Sequence, residues 1–174
     1  NVNFHRDAHR IICQTKFQKD IYDRNLKCPE KTVSFSGNLW SEEHLKLLES
    51  LARVEKNSKC AIIDSKYPQK GVNESIQHCK ENNLEYEVIG DPDYSKFLEL
   101  LSLYSSLVFH PSTPETCCRV ILEAKMMGLK TITNKLIGAS YEEWYNLNGI
   151  ELINEMRNKR KSLVDFIRGI KQDE

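Results

Sequence analysis

The sequence predicts an α/β fold in which a mostly parallel sheet is covered by helices. Segments with strand character alternate with segments of helical periodicity over most of the 174 residues. The strands are short apolar runs of the kind buried inside a parallel sheet, as at 59–64 (KCAIID) and 107–110 (LVFH). Glycine and proline fall between these segments, at Pro68, Gly71, Gly90, Pro111, Pro114 and Gly128.

The elements follow in order. Residues 10–14 (RIICQ) read as a strand, and 16–25 as a helix with Phe17, Ile21 and Tyr22 on one stripe. Residues 32–35 are extended and Gly37 breaks them. Ser41 suits a helix N-cap, Glu42 and Glu43 favour the positive end of the dipole, and Leu45, Leu48, Leu51 and Ala52 recur at helical spacing. After the strand at 59–64 comes the loop SKYPQKG, then a helix capped by Asn73 and running through Glu81. Residues 86–89 form a strand ended by Gly90, and Asp93 caps a helix carrying Phe97, Leu98, Leu100 and Leu101. The strand at 107–110 leads into the loop PSTPET and a helix at 117–127, closed by Gly128. Residues 130–133 make the last strand, and 141–172 read as helical with an interruption near 146–149.

Composition excludes several classes. Lys and Arg total 25 and Asp and Glu 25, so the charge excess of a dedicated nucleic-acid binder is missing. The cysteines at 13, 28, 60, 79, 117 and 118 lack the short paired spacing of zinc ligands, and no metal is expected. Without a secretory start they read as reduced thiols in a cytoplasmic protein. No apolar run reaches the roughly 20 residues that span a bilayer. The basic run from Arg157 to Lys161 reads as a solvated face, with contact to a membrane surface or a partner as the lesser reading.

The chemistry concentrates in LVFHPSTPETCCRVILEAKMMGLKTITN. Leu107 to Phe109 aim the following loop at the carboxyl edge of the sheet, where ligands of open α/β sheets collect. Pro111 and Pro114 stiffen that loop. Glu115 precedes a helix start whose free amides, at Thr116, Cys117 and Cys118, favour a phosphate, and Arg119 adds a forked cation. Glu123 lies among Val120, Ile121, Leu122 and Ala124, where a carboxylate needs a partner such as a pair of sugar hydroxyls. A plainer account makes Glu115 an ordinary helix N-terminal carboxylate, Glu123 an exposed residue bridged to Lys125 or Lys130, and Lys70 a solvated loop lysine.

Here a resemblance becomes specific. Pro111-Ser112, Glu115, Glu123-Ala124 and Gly128 resemble the motif of the family-four-like (group 1) retaining glycosyltransferases of the GT-B fold, within their C-terminal, donor-binding domain. KCAIIDSKYPQKG resembles that domain's first strand and its Lys-Gly loop. The resemblance covers about 59–145 and, more faintly, 10–25. It implies a Rossmann-like three-layer domain at 59–174, a connecting segment at 31–58, and at 1–30 the last strand and helix of a preceding domain. The start at Asn1, without an initiator Met, accordingly reads as a fragment.

By the same resemblance Glu115 approaches the donor sugar and Glu123 holds the ribose. Lys70 faces the diphosphate, with Lys66 standing where the family has an arginine, while Arg119, a charge added to the family's pattern, joins them as a catalytic candidate on its own position. Thr116, Cys117, Cys118 and Ser112 border the phosphates, and Gly90 borders the base. A lysine is a point charge where arginine is a fork, and Thr-Cys-Cys-Arg replaces the family's glycine-rich turn. The implied partner is a nucleotide-diphosphate sugar, with no metal or other cofactor. The acceptor is a glycan or lipid, and a missing N-terminal domain or partner chain supplies its site. Two other readings stay open: a non-catalytic nucleotide-sugar-binding module or partner subunit, and a flavodoxin-like interaction domain without a ligand. Asp91-Pro92-Asp93 mimics a DxD metal motif, but a turn at Pro92 and a helix cap at Asp93 explain it better. A nucleophilic Cys117 or Cys118 lacks a convincing base, since His110 fits packing or the pocket wall better.

Overall fold

A computed structural model gives the fold and describes residues 2–172. Asn1, at the head of the expected remnant, and 173–174, at the end of the expected domain, lie outside the described residues. The elements are α1 (Val2–Asp7), β1 (Ile11–Cys13), α2 (Lys16–Leu26), β2 (Thr32–Ser34), α3 (Glu42–Leu51), β3 (Cys60–Ile63) and α4 (Val72–Glu81). Then come β4 (Tyr86–Ile89), α5 (Tyr94–Ser102), β5 (Ser106–Phe109), α6 (Arg119–Met126), β6 (Lys130–Thr133) and α7 (Gly149–Gln172). Two short 3₁₀ turns, Gly138–Tyr141 and Glu143–Asn146, lead into α7.

The larger sheet runs β4-β3-β5-β6, and every pairing is parallel. Alternate side chains of its strands point to opposite faces. Cys60, Ile62 and Val108 pack with Cys79, Val72 and Ile76 of α4 on one face. Ala61, Leu107, Phe109 and Ile89 meet α3, α5, α6 and α7 on the other, in the main core. This is the three-layer arrangement the sequence predicts. Each fully buried leucine of α3, such as Leu45 and Leu48, adds about 2–5 kcal/mol relative to alanine.

A smaller unit stands beside this domain. β1 and β2 pair in parallel, and α2 covers them through Leu26. The segment at 31–58 is shared between the two units: β2 pairs with β1, while α3 joins the larger core.

Local chemistry sets the element ends. Thr15, Ser41 and Asp93 accept the first free amides of α2, α3 and α5. Gly128, at φ +81°, ends α6. Several boundaries differ from the sequence pattern. Asn73 sits inside the first turn of α4, and Gly71 takes the cap position instead. The helix read as 117–127 begins only at Arg119, because Cys118 is left-handed at φ 53°. The first strand, read as 10–14, is confined to Ile11–Cys13. Among the described residues no helix is long and apolar enough to cross a membrane. All six cysteines are free and buried. The basic run on α7 is partly neutralised, with Arg157 bonded to Glu42 (2.9 Å) and Glu49 (3.0 Å).

Candidate functional site

In the order β4-β3-β5-β6 the chain moves one way from β3 and then returns to its other side with β5. The loops leaving β3 and β5 therefore diverge, opening a crevice at the carboxyl ends of the strands. Those loops carry Lys70 and Glu115.

The first loop is set by its glycine. Lys70 ends a 3₁₀ turn, and Gly71 follows at φ +66°. A β-carbon on Gly71 would fall 1.7 Å from the His110 carbonyl oxygen, so the two loops meet backbone to backbone. The Ser112 amide donates to the Gln69 carbonyl (3.0 Å) and the His110 amide to Ser75 Oγ (3.0 Å). This contact aims Lys70 at the second loop, where its Nζ lies 2.7 Å from Glu115 Oε1. Glu115 is fixed in turn: its amide donates to the Leu136 carbonyl (2.8 Å) and its carbonyl accepts from the Gly138 amide (2.8 Å).

A cavity of about 300 Å³ opens above this pair, bordered by Lys70, Glu115, Cys118, Arg119, Tyr94 and Phe97. With the helix starting at Arg119, the free α6 amides begin two residues later than the sequence pattern places them. A second lobe of about 480 Å³ shares Ile63, Asp64, Tyr94 and Phe97 with the first and ends at Gly90, Asp91 and Pro92. Gly90 fits closely there, since a β-carbon on it would stand 3.1 Å from Asp64 Cβ.

Glu123 anchors the cleft from below. It is 0% exposed. Its Oε1 accepts from Trp40 Nε1 (2.8 Å) and lies 3.0 Å from His44 Nε2 and 3.4 Å from an Arg119 guanidinium nitrogen. Its Oε2 accepts from the Tyr94 hydroxyl. Burial pushes this carboxyl up, but the bonds from His44, Tyr94 and Trp40, with the Arg119 charge, outweigh it and hold the group below its usual value. Neither the exposed position nor the Lys125 or Lys130 bridge of the plainer sequence reading occurs. Arg119 also stacks over the Trp40 ring, 5.1 Å from its centroid.

The structure thus brings Lys70, Glu115, Arg119, Cys118 and Gly90 to one cleft, with Glu123 directly beneath. Other candidates stand outside its lining. The Lys66 ammonium lies over the Tyr67 ring, 5.5 Å from the centroid. Ser112 joins the loops through its backbone, and its side chain is exposed. Thr116 faces the smaller unit, donating to Gln14 Oε1 (2.6 Å) and accepting at its carbonyl from Thr15 Oγ1 (2.8 Å). Cys117 is packed in the core, and burial pushes both its thiol and that of Cys118 up to about 12, which suits neither to nucleophilic attack. His110 packs against His78, ring centroids 4.6 Å apart. Asp93 caps α5 through Ser95 and Lys96, and Asp91 accepts from the Asp93 amide (2.8 Å), as the turn-and-cap reading requires.

Sequence reasoning missed Trp40, His44, Asp64 and Tyr94. Tyr94 had one visible signal: an aromatic residue directly after a helix cap, at the carboxyl edge of a strand.

The architecture has known counterparts. The chain has the fold of GT-B glycosyltransferases. HepE of Anabaena, solved in complex with UDP and glucose, aligns with 97% of this chain and 57% of its own, at 17% identity and a TM-score of 0.54. A glycosyltransferase of Rickettsia africae ESF-5 aligns with 93% of this chain and 57% of its own, at 16% identity and a TM-score of 0.52. The chain thus spans a little over half the length of these two proteins. The sequence matches no protein-family model and no curated protein.

Proposed function

We propose that this chain binds a nucleotide-diphosphate sugar in the two-lobed cleft and supports transfer of the sugar to an acceptor hydroxyl with retention of anomeric configuration. The observation that carries this reading is the convergence of Lys70, Glu115 and Arg119 at the crevice between β3 and β5. The first lobe offers a diphosphate two cations, Lys70 and Arg119, beside the carboxylates of Asp64 and Glu115, and the lobe ending at Gly90 has room for a base. The GT-B fold, and the UDP and glucose carried by HepE, support the same reading.

In this reading Lys70 leaves Glu115 to meet the diphosphate, and Arg119 and the first α6 amides take the rest of its charge. As the bond from the anomeric carbon to the diphosphate oxygen breaks, negative charge builds on that oxygen, where these groups stabilise it without a divalent cation. Glu115, released from Lys70, accepts sugar hydroxyls. The acceptor hydroxyl bonds to the anomeric carbon on the face the diphosphate leaves, and its proton passes to the departing phosphate. The acceptor site belongs to the remainder of a longer protein or to a partner chain.

The test is release of free nucleoside diphosphate from UDP- and GDP-sugars, with and without EDTA, by wild type, Lys70→Ala and Arg119→Ala, each with its acceptor-binding part present. Turnover should fall about 10²-fold in each variant. Wild-type rates in both variants would remove the proposed electrostatic role.

A further inference from the structure

The lobe that ends at Gly90 has a wall unlike that of its neighbour. Its floor is aromatic: Tyr94 and Phe97 stack, ring centroids 5.9 Å apart and planes at 26°. Such a surface suits the flat face of a base. Its rim is acidic. Asp64 and Asp91 border it, and among the described residues no lysine or arginine does. The first lobe differs, since Lys70 and Arg119 stand there beside its carboxylates.

Gly90 brings the two aspartates to one opening. The Asp64 amide donates to the Ile89 carbonyl (2.7 Å), which sets Asp64 beside Gly90 at the ends of β3 and β4. A β-carbon on Gly90 would stand 3.1 Å from Asp64 Cβ and 3.9 Å from Asp64 Oδ2, so the bare glycine leaves the Asp64 carboxylate uncovered. Asp91 follows directly, and its Oδ1 accepts from the Asp93 amide (2.8 Å), which fixes that carboxylate. Both residues are exposed, and among the described residues neither carboxylate has a cation partner.

This arrangement separates the four common bases. An ionised carboxylate only accepts hydrogen bonds. Guanine alone turns two adjacent donors to such a group, its N1–H and its 2-amino group. Uracil has a single N–H flanked by two carbonyl oxygens, which would face the carboxylates acceptor to acceptor. Adenine and cytosine each set one amino group beside an unprotonated ring nitrogen. A carboxylate that gives up water to face an acceptor stays unpaired, and that cost rejects the wrong base.

Resting on the nucleotide-sugar reading of the cleft, we infer that the donor is a guanine nucleotide sugar, and that Asp64 and Asp91 read the base by accepting from N1–H and the 2-amino group. The ribose and the diphosphate take no part in this selection.

The experiment is calorimetry on the 174-residue chain with GDP, inosine diphosphate, ADP and UDP, for wild type and the double variant Asp64→Ala, Asp91→Ala. Inosine diphosphate is GDP without the 2-amino group, so the two isolate one charge-assisted hydrogen bond. Wild type should bind GDP about ten-fold more tightly than inosine diphosphate, and ADP and UDP more weakly still. The double variant should bind GDP and inosine diphosphate equally. Each ratio is read within one protein, so a change in stability or in repulsion of the diphosphate cancels. Equal binding of GDP and inosine diphosphate by wild type, binding of UDP or ADP as tight as that of GDP, or an unchanged ratio in the double variant overturns the inference and leaves the nucleotide reading standing. Loss of all four nucleotides by the double variant also overturns it, because the aspartates would then hold the shape of the lobe rather than read the base. Absence of binding of all four by wild type overturns the nucleotide reading itself, and this inference with it.

Discussion

Replacing Glu123 with alanine should destabilise the fold far more than a typical charged-residue change. The structure sets the size of the effect. Trp40 is 3% exposed, so its indole N–H would lose its Glu123 acceptor in a place with little access to water. The side chains of Tyr94 and Arg119 border the open cleft and turn to solvent at little cost. A stranded buried donor costs about 1–3 kcal/mol, and the lost charge-assisted bonds bring the total to about 3 kcal/mol. For a chain of this length that lowers the melting temperature by about 6–12 °C. Glu123→Gln keeps one oxygen for Trp40 and His44 and forces only Tyr94 to reverse its bond, at a cost of about 1 kcal/mol.

Acid unfolding supplies the second half of the assay. The folded carboxyl lies below its ordinary value of 4.5, so its stabilisation is fully present above that pH and fades as the pH falls through the folded value. Denaturant melts of wild type should therefore weaken below about pH 4.5, and those of Glu123→Gln should weaken less. The reasoning fails if Glu123→Ala stays within about 1 kcal/mol of wild type, or if Glu123→Gln is as damaging as Glu123→Ala.

Lys70→Ala and Arg119→Ala should each shift stability by less than about 1 kcal/mol in thermal melts, because both side chains are more than a third exposed, at 39% and 46%. Gly71→Ala should cost more than about 4 kcal/mol and lower soluble yield, since its β-carbon meets the His110 carbonyl and its φ is positive. Iodoacetamide at pH 8 should leave Cys117 and Cys118 unmodified in the native protein and label both in denaturant, as peptide mass mapping would show. Rapid native labelling of either would contradict their burial.

Local signals in the chain proved readable where local forces decide the outcome. The apolar runs at β3 and β5 are strands because both their faces are covered. Ser41 and Asp93 cap their helices because a side-chain oxygen can reach an amide two or three residues on. The start of α6 was not readable, because a left-handed Cys118 is imposed by packing rather than by its own preference. Nor was the setting of Glu123. Its partners Trp40 and His44 lie 83 and 79 residues away, in a stretch whose own pattern suggests only a connection. The residue type of Asn73 suits a cap, but the close contact of two loops gives that place to Gly71.

Glu142 binds the smaller unit to the larger domain. It is 4% exposed, accepts from the Lys16 amide at the start of α2 (2.6 Å), and also accepts from the Ser36 hydroxyl. Thr116, next in the chain to Glu115, is joined to Gln14 and Thr15 of the same unit. These bonds make the β1–β2 unit a lever on the loop that carries Glu115. A shift of about 1 Å between the units stretches them past useful length. At about 1 kcal/mol each, these four bonds can carry a coupling of a few kcal/mol between the unit's position and the Glu115 loop. The linkage is reciprocal: whatever tilts β1 and α2 shifts the Glu115 loop, and whatever steadies that loop steadies the tilt by the same free energy.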